Sequence, residues 1–290
     1  MFALMTLSEI YRQYLLELNK IYSGNEAAEI TNIAFDDVAG IKRADVIKNP
    51  SMPIEDSLLQ ALTTVLSRLQ KSEPIQHITG LAWFCGLSFK VSTSVLIPRP
   101  ETEELVQLAS AFISNKNSAV LDIGSGSGCI PIALKVKHPA TKITGIDISD
   151  EALQIAKQNA ELNKCDIHFF KNNFLDEAAW LSLGNFDVII SNPPYIPETD
   201  KNLLDKNVLQ FEPHLALFEP AGQPYIFYKK IARFGQTHLF AGGKIFVEIH
   251  EDFGKVVFEI FLAADYEVKL IKDMFGKERF VVAGRRGFQV

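Results

Sequence analysis

Along the first seventy residues, apolar side chains return at every third or fourth position, the stripe of amphipathic helices. Leu7, Ile10, Tyr11, Tyr14, Leu15, Leu18, Ile21 and Tyr22 mark a helix over 7–22. Ser23 or Asn25 can cap a second helix over 26–37, with Ala27, Ile30, Ile33, Ala34 and Phe35 along its stripe. A short third helix over 42–48 ends before Asn49-Pro50. Pro53 sits where a first-turn proline belongs, with Glu55 and Asp56 in the first turn, ahead of Leu58, Leu59, Leu62, Val65, Leu66 and Leu69. Residues 1–72 thus read as a small helical bundle with no strand signal. Its tyrosines and leucines belong to a core, because helical spacing alone accounts for them.

From Glu73 the period changes. Residues 80–91 carry two aromatic-rich runs around Gly86, which predicts a β-hairpin within a linker over 73–95. Pro98 and Pro100 then stiffen the entry to a helix with an acidic first turn, running to about Ser114. Beyond Asn117, strands are expected at 119–123, 142–147, 166–170, 186–191, 244–249, 266–271 and 279–283, with helices at 129–137, 150–163, 224–239 and 252–264. Strands separated by helices of this length predict an α/β fold, a doubly wound, seven-stranded, mostly parallel sheet filling 96–290. The connection over 272–277 is too short for a crossover helix, so the last two strands are expected to pair antiparallel at one edge.

Composition narrows the setting. A chain of 290 residues, 47% apolar and 22% charged, has material for two globular domains. Its net charge of -6 argues against a general nucleic-acid binder. Cys85, Cys129 and Cys165 are far apart and odd in number, against a disulfide framework or a zinc site and in favour of a reducing compartment. Cys129 reads as a small buried helix residue. The six histidines stand singly, so no metal is expected. The apolar start from Met1 to Leu7 meets Glu9 and Arg12 too soon for a signal peptide, and no uncharged run reaches the ~18–20 residues of a membrane span. A soluble, cytoplasmic monomer is expected. Lys135, Lys137, Lys142 and Arg285-Arg286 read as solvated charges; 248–252 either borders the pocket or is a solvated strand end with a helix cap, the second being favoured.

Three features at strand ends carry chemistry. Asp122-Ile123-Gly124-Ser125-Gly126-Ser127-Gly128 closes the first strand of the sheet, and its glycines let a ligand approach the strand end and the following helix. The spacing is Gly-x-Gly-x-Gly, one place short of the dinucleotide fingerprint, and no lysine follows as in a triphosphate loop. Asp147 ends the next strand about 20 residues on, where an Asp accepts both hydroxyls of a ribose. A ribose clamp and a glycine cradle without a phosphate cation fit S-adenosylmethionine. The third feature is Asn192-Pro193-Pro194-Tyr195, which ends the fourth strand. The two prolines lack N–H groups, so this turn offers acceptors and almost no donors, beside an aromatic ring. It suits a planar NH2 group; as a bare pattern it is equally a strand-terminating turn.

Together these residues resemble class I S-adenosylmethionine-dependent methyltransferases that act on planar amino groups. More narrowly, the chain is similar to the PrmC/HemK family, the bacterial release factor glutamine methyltransferases. Three further stretches carry that resemblance: Pro74 to Gly80 with Phe84, Leu96-Ile97-Pro98-Arg99-Pro100-Glu101-Thr102-Glu103, and Phe211-Glu212-Pro213-His214-Leu215-Ala216-Leu217. It spans about residues 74–284, with the helical part matching in layout more than in wording.

The resemblance implies that Gly124, Ser125, Gly126, Ser127 and Gly128 meet the methionine end of the cofactor and Asp147 its ribose. Phe174 stands where the family often has a Trp against adenine, and Asn173 where an Asp commonly receives the adenine amino group. Asn192, Pro193, Pro194 and Tyr195 would hold the glutamine side chain, with Asn192, Pro193 and Tyr195 catalytic and Asn192 also beside the cofactor. The implied substrate is a peptide chain release factor, methylated on the glutamine of its Gly-Gly-Gln loop with S-adenosylhomocysteine as product, and residues 1–72 would recognise it. An exocyclic-amine methyltransferase acting on nucleic acid is the alternative, since the same pocket accepts adenine N6.

Overall fold

The computed structural model describes residues 5–113 and 117–285. The expected start at Met1, the helix end at Ser114 and the charge of Arg286 lie outside the described residues. The chain divides into two compact units, Met1–Leu81 with Asp205–Phe211, and Ala82–Leu204 with Glu212–Val290.

The first unit holds α1 (Leu7–Leu18), α2 (Gly24–Ala39), α3 (Arg43–Lys48), α4 (Asp56–Leu69) and α5 (Ile75–Thr79). The expected stripes become its core, with Leu7, Ile10, Tyr14 and Leu18 meeting Ala34, Phe35, Leu62, Leu66 and Leu69. Tyr11 and Tyr14 each set a ring edge-on to Phe35 at 5.2 Å. The Tyr14 hydroxyl is satisfied by the Leu62 carbonyl, so its burial leaves no orphan donor. Ser23, not Asn25, caps α2, accepting from the Glu26 N–H at 3.4 Å. Pro53 does not open α4: it bridges Thr6, and Glu55 takes the cap position instead. α5 carried no periodic signal because it is a single turn.

The second unit begins with the hairpin of β1 (Leu81–Phe84) and β2 (Leu87–Lys90), followed by α6 (Pro100–Phe112). There follow β3 (Ala119–Ile123), α7 (Cys129–Lys137), β4 (Lys142–Asp147), α8 (Asp150–Leu162), β5 (His168–Lys171) and β6 (Phe186–Ser191). The next helix, α9 (Lys206–Phe211), belongs to the first unit; the second resumes with α10 (His214–Leu217), α11 (Ile226–His238), β7 (Leu239–Glu248), α12 (Gly254–Ala263), β8 (Tyr266–Lys272) and β9 (Glu278–Arg285). The sheet order is β5-β4-β3-β6-β7-β9-β8. β9 runs antiparallel to β7 and β8, while the pairings among β3 to β7 are parallel. The fold is thus the doubly wound sheet with an antiparallel last strand. β7 starts earlier than its β-branched run, because α11 feeds into it without a loop.

Alternate residues of each strand feed two cores. Val120, Val188 and Ile190 pack beneath α6, α7 and α8 on one face. Leu121, Ile189, Ile245 and Val247 pack beneath α11 and α12 on the other. The pairing of β3 with β4 on one side and β6 on the other is the switch point, where a crevice opens at the carboxyl ends.

Two positions in this sheet have measurable consequences. A Cβ on Gly145 of β4 would stand 2.5 Å from the Phe169 ring and 2.6 Å from Ser125 Oγ. Gly145→Ala is therefore expected to cost about 1–3 kcal/mol, read as a lower urea midpoint at unchanged slope. Asp122 is fully buried, and neither carboxylate oxygen has a hydrogen-bond partner among the described residues. Burial pushes its carboxyl up to about 7, with the nearby Asp147 charge adding to that and Ser125 opposing it. The folded chain then keeps a proton that the unfolded chain sheds near pH ~4, so stability falls as pH rises from there to neutrality. Asp122→Asn removes that slope. Its Tm relative to wild type should be higher at about pH 8 than at about pH 5, on either side of the raised carboxyl, and equal differences at both would contradict this.

Candidate active site

The crevice at the switch point is a cavity of about 340 Å³ within the second unit. Its floor is the glycine turn between β3 and α7. Gly124, Gly126 and Gly128 take φ of 75°, 53° and 78°, a left-handed backbone that other residues adopt at a cost. At Gly124 and Gly126 an added Cβ would meet nothing within 4 Å, so both turn an open face to the cavity. Gly128 differs. Its Cβ would press on Ala156, Ile132 and Phe169 at 3.1–3.2 Å, which makes it a packing glycine, and it does not line the cavity with Gly124 to Ser127.

Asp147 fixes this turn from the end of β4. Its Oδ2 accepts from the Gly126 N–H at 2.8 Å and its Oδ1 from the Ser149 N–H at 2.9 Å. Each oxygen keeps a second lone pair for a hydroxyl of a ligand. Burial raises the Asp147 carboxyl, and the N–H groups of Ser149 and Gly126 counter it. Asn159 secures the same turn from α8. Its Nδ2 donates to the Ser127 and Lys90 carbonyls, both at 2.9 Å, and its Oδ1 accepts from the Lys90 N–H at 2.6 Å. One fully buried amide thus ties helix, hairpin and glycine turn.

Phe174 lines the cavity while its ring packs edge-on to Phe234 at 5.4 Å, and its carbonyl accepts from the Trp180 indole at 2.8 Å. Asn173 also lines it, with Oδ1 turned to the Leu175 N–H at 3.3 Å. The neighbouring Asn172 was not singled out by its pattern. It is buried, lines the cavity, spends its NH2 on Ala179 and Ser182, and leaves Oδ1 without a partner among the described residues.

Asn192 and Pro194 stand on the β6 side of the same cavity. Asn192 Nδ2 donates to Thr102 Oγ1 at 3.1 Å, and its Oδ1 accepts from no described residue. Ser191 anchors the strand end beneath it through Oγ to the Ile123 carbonyl at 2.7 Å. Pro193 and Tyr195 do not line the cavity. Tyr195 is half-buried behind the turn, edge-on to His250 at 6.0 Å, and burial raises its phenol well above the ordinary range.

The stretch 248–252 is a correction. Glu248 is buried at 2% exposure and accepts from Thr102 Oγ1 at 2.7 Å, so it is no solvated strand end. Nor does Asp252 cap a helix, since Phe253 holds that position before α12. Alternation along a strand does not reveal this burial, because α6 covers the strand end from far away in sequence. Arg99 and Glu212 likewise meet at 2.6 Å, joining the 96–103 stretch to the 211–217 stretch, whose Pro213, Leu215 and Ala216 line the cavity. Cys129 borders the cavity too. Burial pushes its thiol up to about 12, which removes it as a nucleophile at neutral pH. Among the described residues no three His, Cys, Asp or Glu side chains converge as metal ligands, and no helix is long and apolar enough to cross a membrane.

Two family models match the chain: the PrmC N-terminal domain over residues 9–80 and the methyltransferase small domain over residues 105–216. A release factor glutamine methyltransferase of Bacteroides thetaiotaomicron is 39% identical over 271 residues, covering 92% of this chain and 96% of that protein. One from Flavobacterium psychrophilum is 36% identical over 282 residues, covering 96% and 98%. A third, from Lactococcus lactis, is 41% identical over 230 residues, covering 79% and 83%. At that identity and coverage the chain belongs to the release factor glutamine methyltransferase family.

Proposed function

We propose that this chain transfers the methyl group of S-adenosylmethionine to the side-chain amide nitrogen (N5) of the glutamine in the Gly-Gly-Gln loop of peptide chain release factors, releasing S-adenosylhomocysteine. The observation that carries this reading is the Asn192 carboxamide. Its NH2 is spent on Thr102, and its oxygen is unengaged beside a cavity that Asp147 and the open faces of Gly124 and Gly126 share. The cofactor fits the donor set. A volume of about 340 Å³ lies in the range of small-molecule sites, and the Asp147 lone pairs suit a ribose. Phe174 offers a ring face for the base.

When bound, S-adenosylmethionine supplies an electrophilic methyl group on a sulfonium sulfur. The chain supplies position. A carboxamide nitrogen is a poor nucleophile, because its lone pair is delocalised into the carbonyl. Asn192 lines the cavity, where its Oδ1 accepts one of the N–H bonds and so aims the nitrogen; the Pro193 carbonyl, buried beside it, takes the second only where the bound glutamine reaches past the cavity lining. The prolines remove competing donors from the turn. Tyr195 stands outside the cavity lining and supports the turn; its raised phenol stays protonated and is no base. Positioning of this kind lowers a barrier by up to ~7–11 kcal/mol in favourable cases, without a strong base or a metal. The proton leaves to solvent after transfer.

The first unit recognises the release factor and the enzyme acts as a monomer in this reading; three free cysteines fit a reducing, cytoplasmic setting. Two experiments test the proposal. Incubation with tritiated cofactor and either a release factor or DNA and RNA should label the protein alone, on the glutamine located by mass spectrometry; label in nucleic acid alone overturns it. Asn192→Ala should lose at least ~100-fold in kcat while calorimetry still shows cofactor binding, and near-normal turnover would refute the acceptor role.

A further inference from the structure

Three polar side chains stand in a row that runs from the cavity wall, which Asn192 and Thr102 line, to the buried Glu248. Asn192 Nδ2 donates to Thr102 Oγ1 at 3.1 Å, and Thr102 Oγ1 donates to Glu248 Oε2 at 2.7 Å. Thr102 comes from the first turn of α6 and Glu248 from the end of β7; they are 3% and 2% exposed, so water does not compete for the bond between them. The Tyr228 hydroxyl donates to the Glu248 main-chain carbonyl at 3.0 Å and holds the strand end.

The number of protons in this row decides which way the carboxamide faces. A threonine hydroxyl has one proton and an ionised carboxylate has none. While Glu248 is ionised, the Thr102 proton is committed to it, and Thr102 Oγ1 can only accept from Asn192. That admits Nδ2 and rejects Oδ1. Once Glu248 is protonated it can donate to Thr102 Oγ1, and the hydroxyl proton becomes free to bond Asn192 Oδ1. The carboxamide can then rotate and turn its NH2 towards the cavity, where an acceptor amide needs an oxygen.

We propose that Glu248, acting through the Thr102 hydroxyl, is the positioning residue that holds the Asn192 carboxamide with its oxygen towards the methyl acceptor. This rests on the glutamine-methylation reading above and deepens it. The charged and titratable groups around Glu248 are Arg279 from β9, Arg99 and Glu101 at the start of α6, Tyr195 after β6 and Tyr228 from α11. Burial raises the Glu248 carboxyl to about 7; the Thr102 bond, Arg279 and Arg99 oppose this, and Glu101 adds to it. The two arrangements therefore exchange near neutrality, with the productive one on the alkaline side.

Methylation of a release factor by the full chain across neutral pH tests this. In wild type, kcat should rise with pH along a one-proton limb centred near 7. Thr102→Val keeps the shape and removes the relay. It should lower kcat by about 10- to 100-fold with KM and calorimetric cofactor affinity little changed, and it should erase the limb. Thr102→Ser should restore both rate and limb. Glu248→Gln, which cannot ionise, should also be slow and pH-independent through neutrality. A wild-type rate in Thr102→Val, a Thr102→Ser as slow as the valine variant, or a limb that persists in Glu248→Gln overturns the inference. Failure of the wild type to label any release factor overturns the underlying reading instead, and does so before any variant is compared.

Discussion

The second unit is organised by one constraint: β3 is hydrogen-bonded to β4 on one side and to β6 on the other, all three parallel. Right-handed crossovers from such a centre send helices to opposite faces of the sheet and leave the carboxyl ends of β3, β4 and β6 uncovered between them. The glycine turn, Asp147 and the Asn192 turn are the continuations of those three strands. Their convergence follows from register. Ile123 pairs with Ile146, next to Asp147, and Ile190 pairs with Asp122, two residues before Asn192. A one-residue slip would turn each of these side chains to the other face.

Around this crevice the chain buries more ionisable groups than stability alone would favour. Asp122 and Glu248 are both driven towards neutrality by burial, and Glu212 keeps one oxygen on Arg99 and one without a described partner. Buried carboxylates of this kind weaken a fold unless fully bonded. Asp122 in β3, Glu248 at the end of β7 and Glu212 ahead of α10 all belong to the second unit, the pattern expected when a site sets the local energetics, although Asp37 in the helical unit is also raised by burial.

Much of this was legible in the residues. Helical spacing fixed the core of the first unit, and β-branched runs marked all seven strands of the main sheet within a few residues, except that β7 extends back through Gly242-Gly243. Gly124, Asp147 and Asn192 announced themselves because glycine, a strand-end acid and an Asn-Pro-Pro turn are uncommon in combination. Thr102 and Glu248 did not. Their roles arise from a contact spanning 146 residues, and a threonine in a helical first turn or a glutamate at a strand end has an ordinary local explanation. Gly128 was misleading for the opposite reason: it belongs to the motif by spacing, yet its missing side chain makes room for Ala156 and Phe169. The short helices between β6 and α11 left no periodic trace, since a turn or two of helix shows no stripe.

The bonds made by Asn159 reach the main chain of Lys90 and Ser127, never their side chains. Evolution can therefore rewrite the residues at positions 90 and 127 with little effect on this junction, whereas the register that brings the Lys90 and Ser127 peptide units to Asn159 is held fixed. A single inserted residue in β2 would present the wrong peptide unit to Asn159 and strand a fully buried amide. Divergence in this corner of the molecule should accumulate as substitutions, and length changes should be displaced to the surface loops elsewhere.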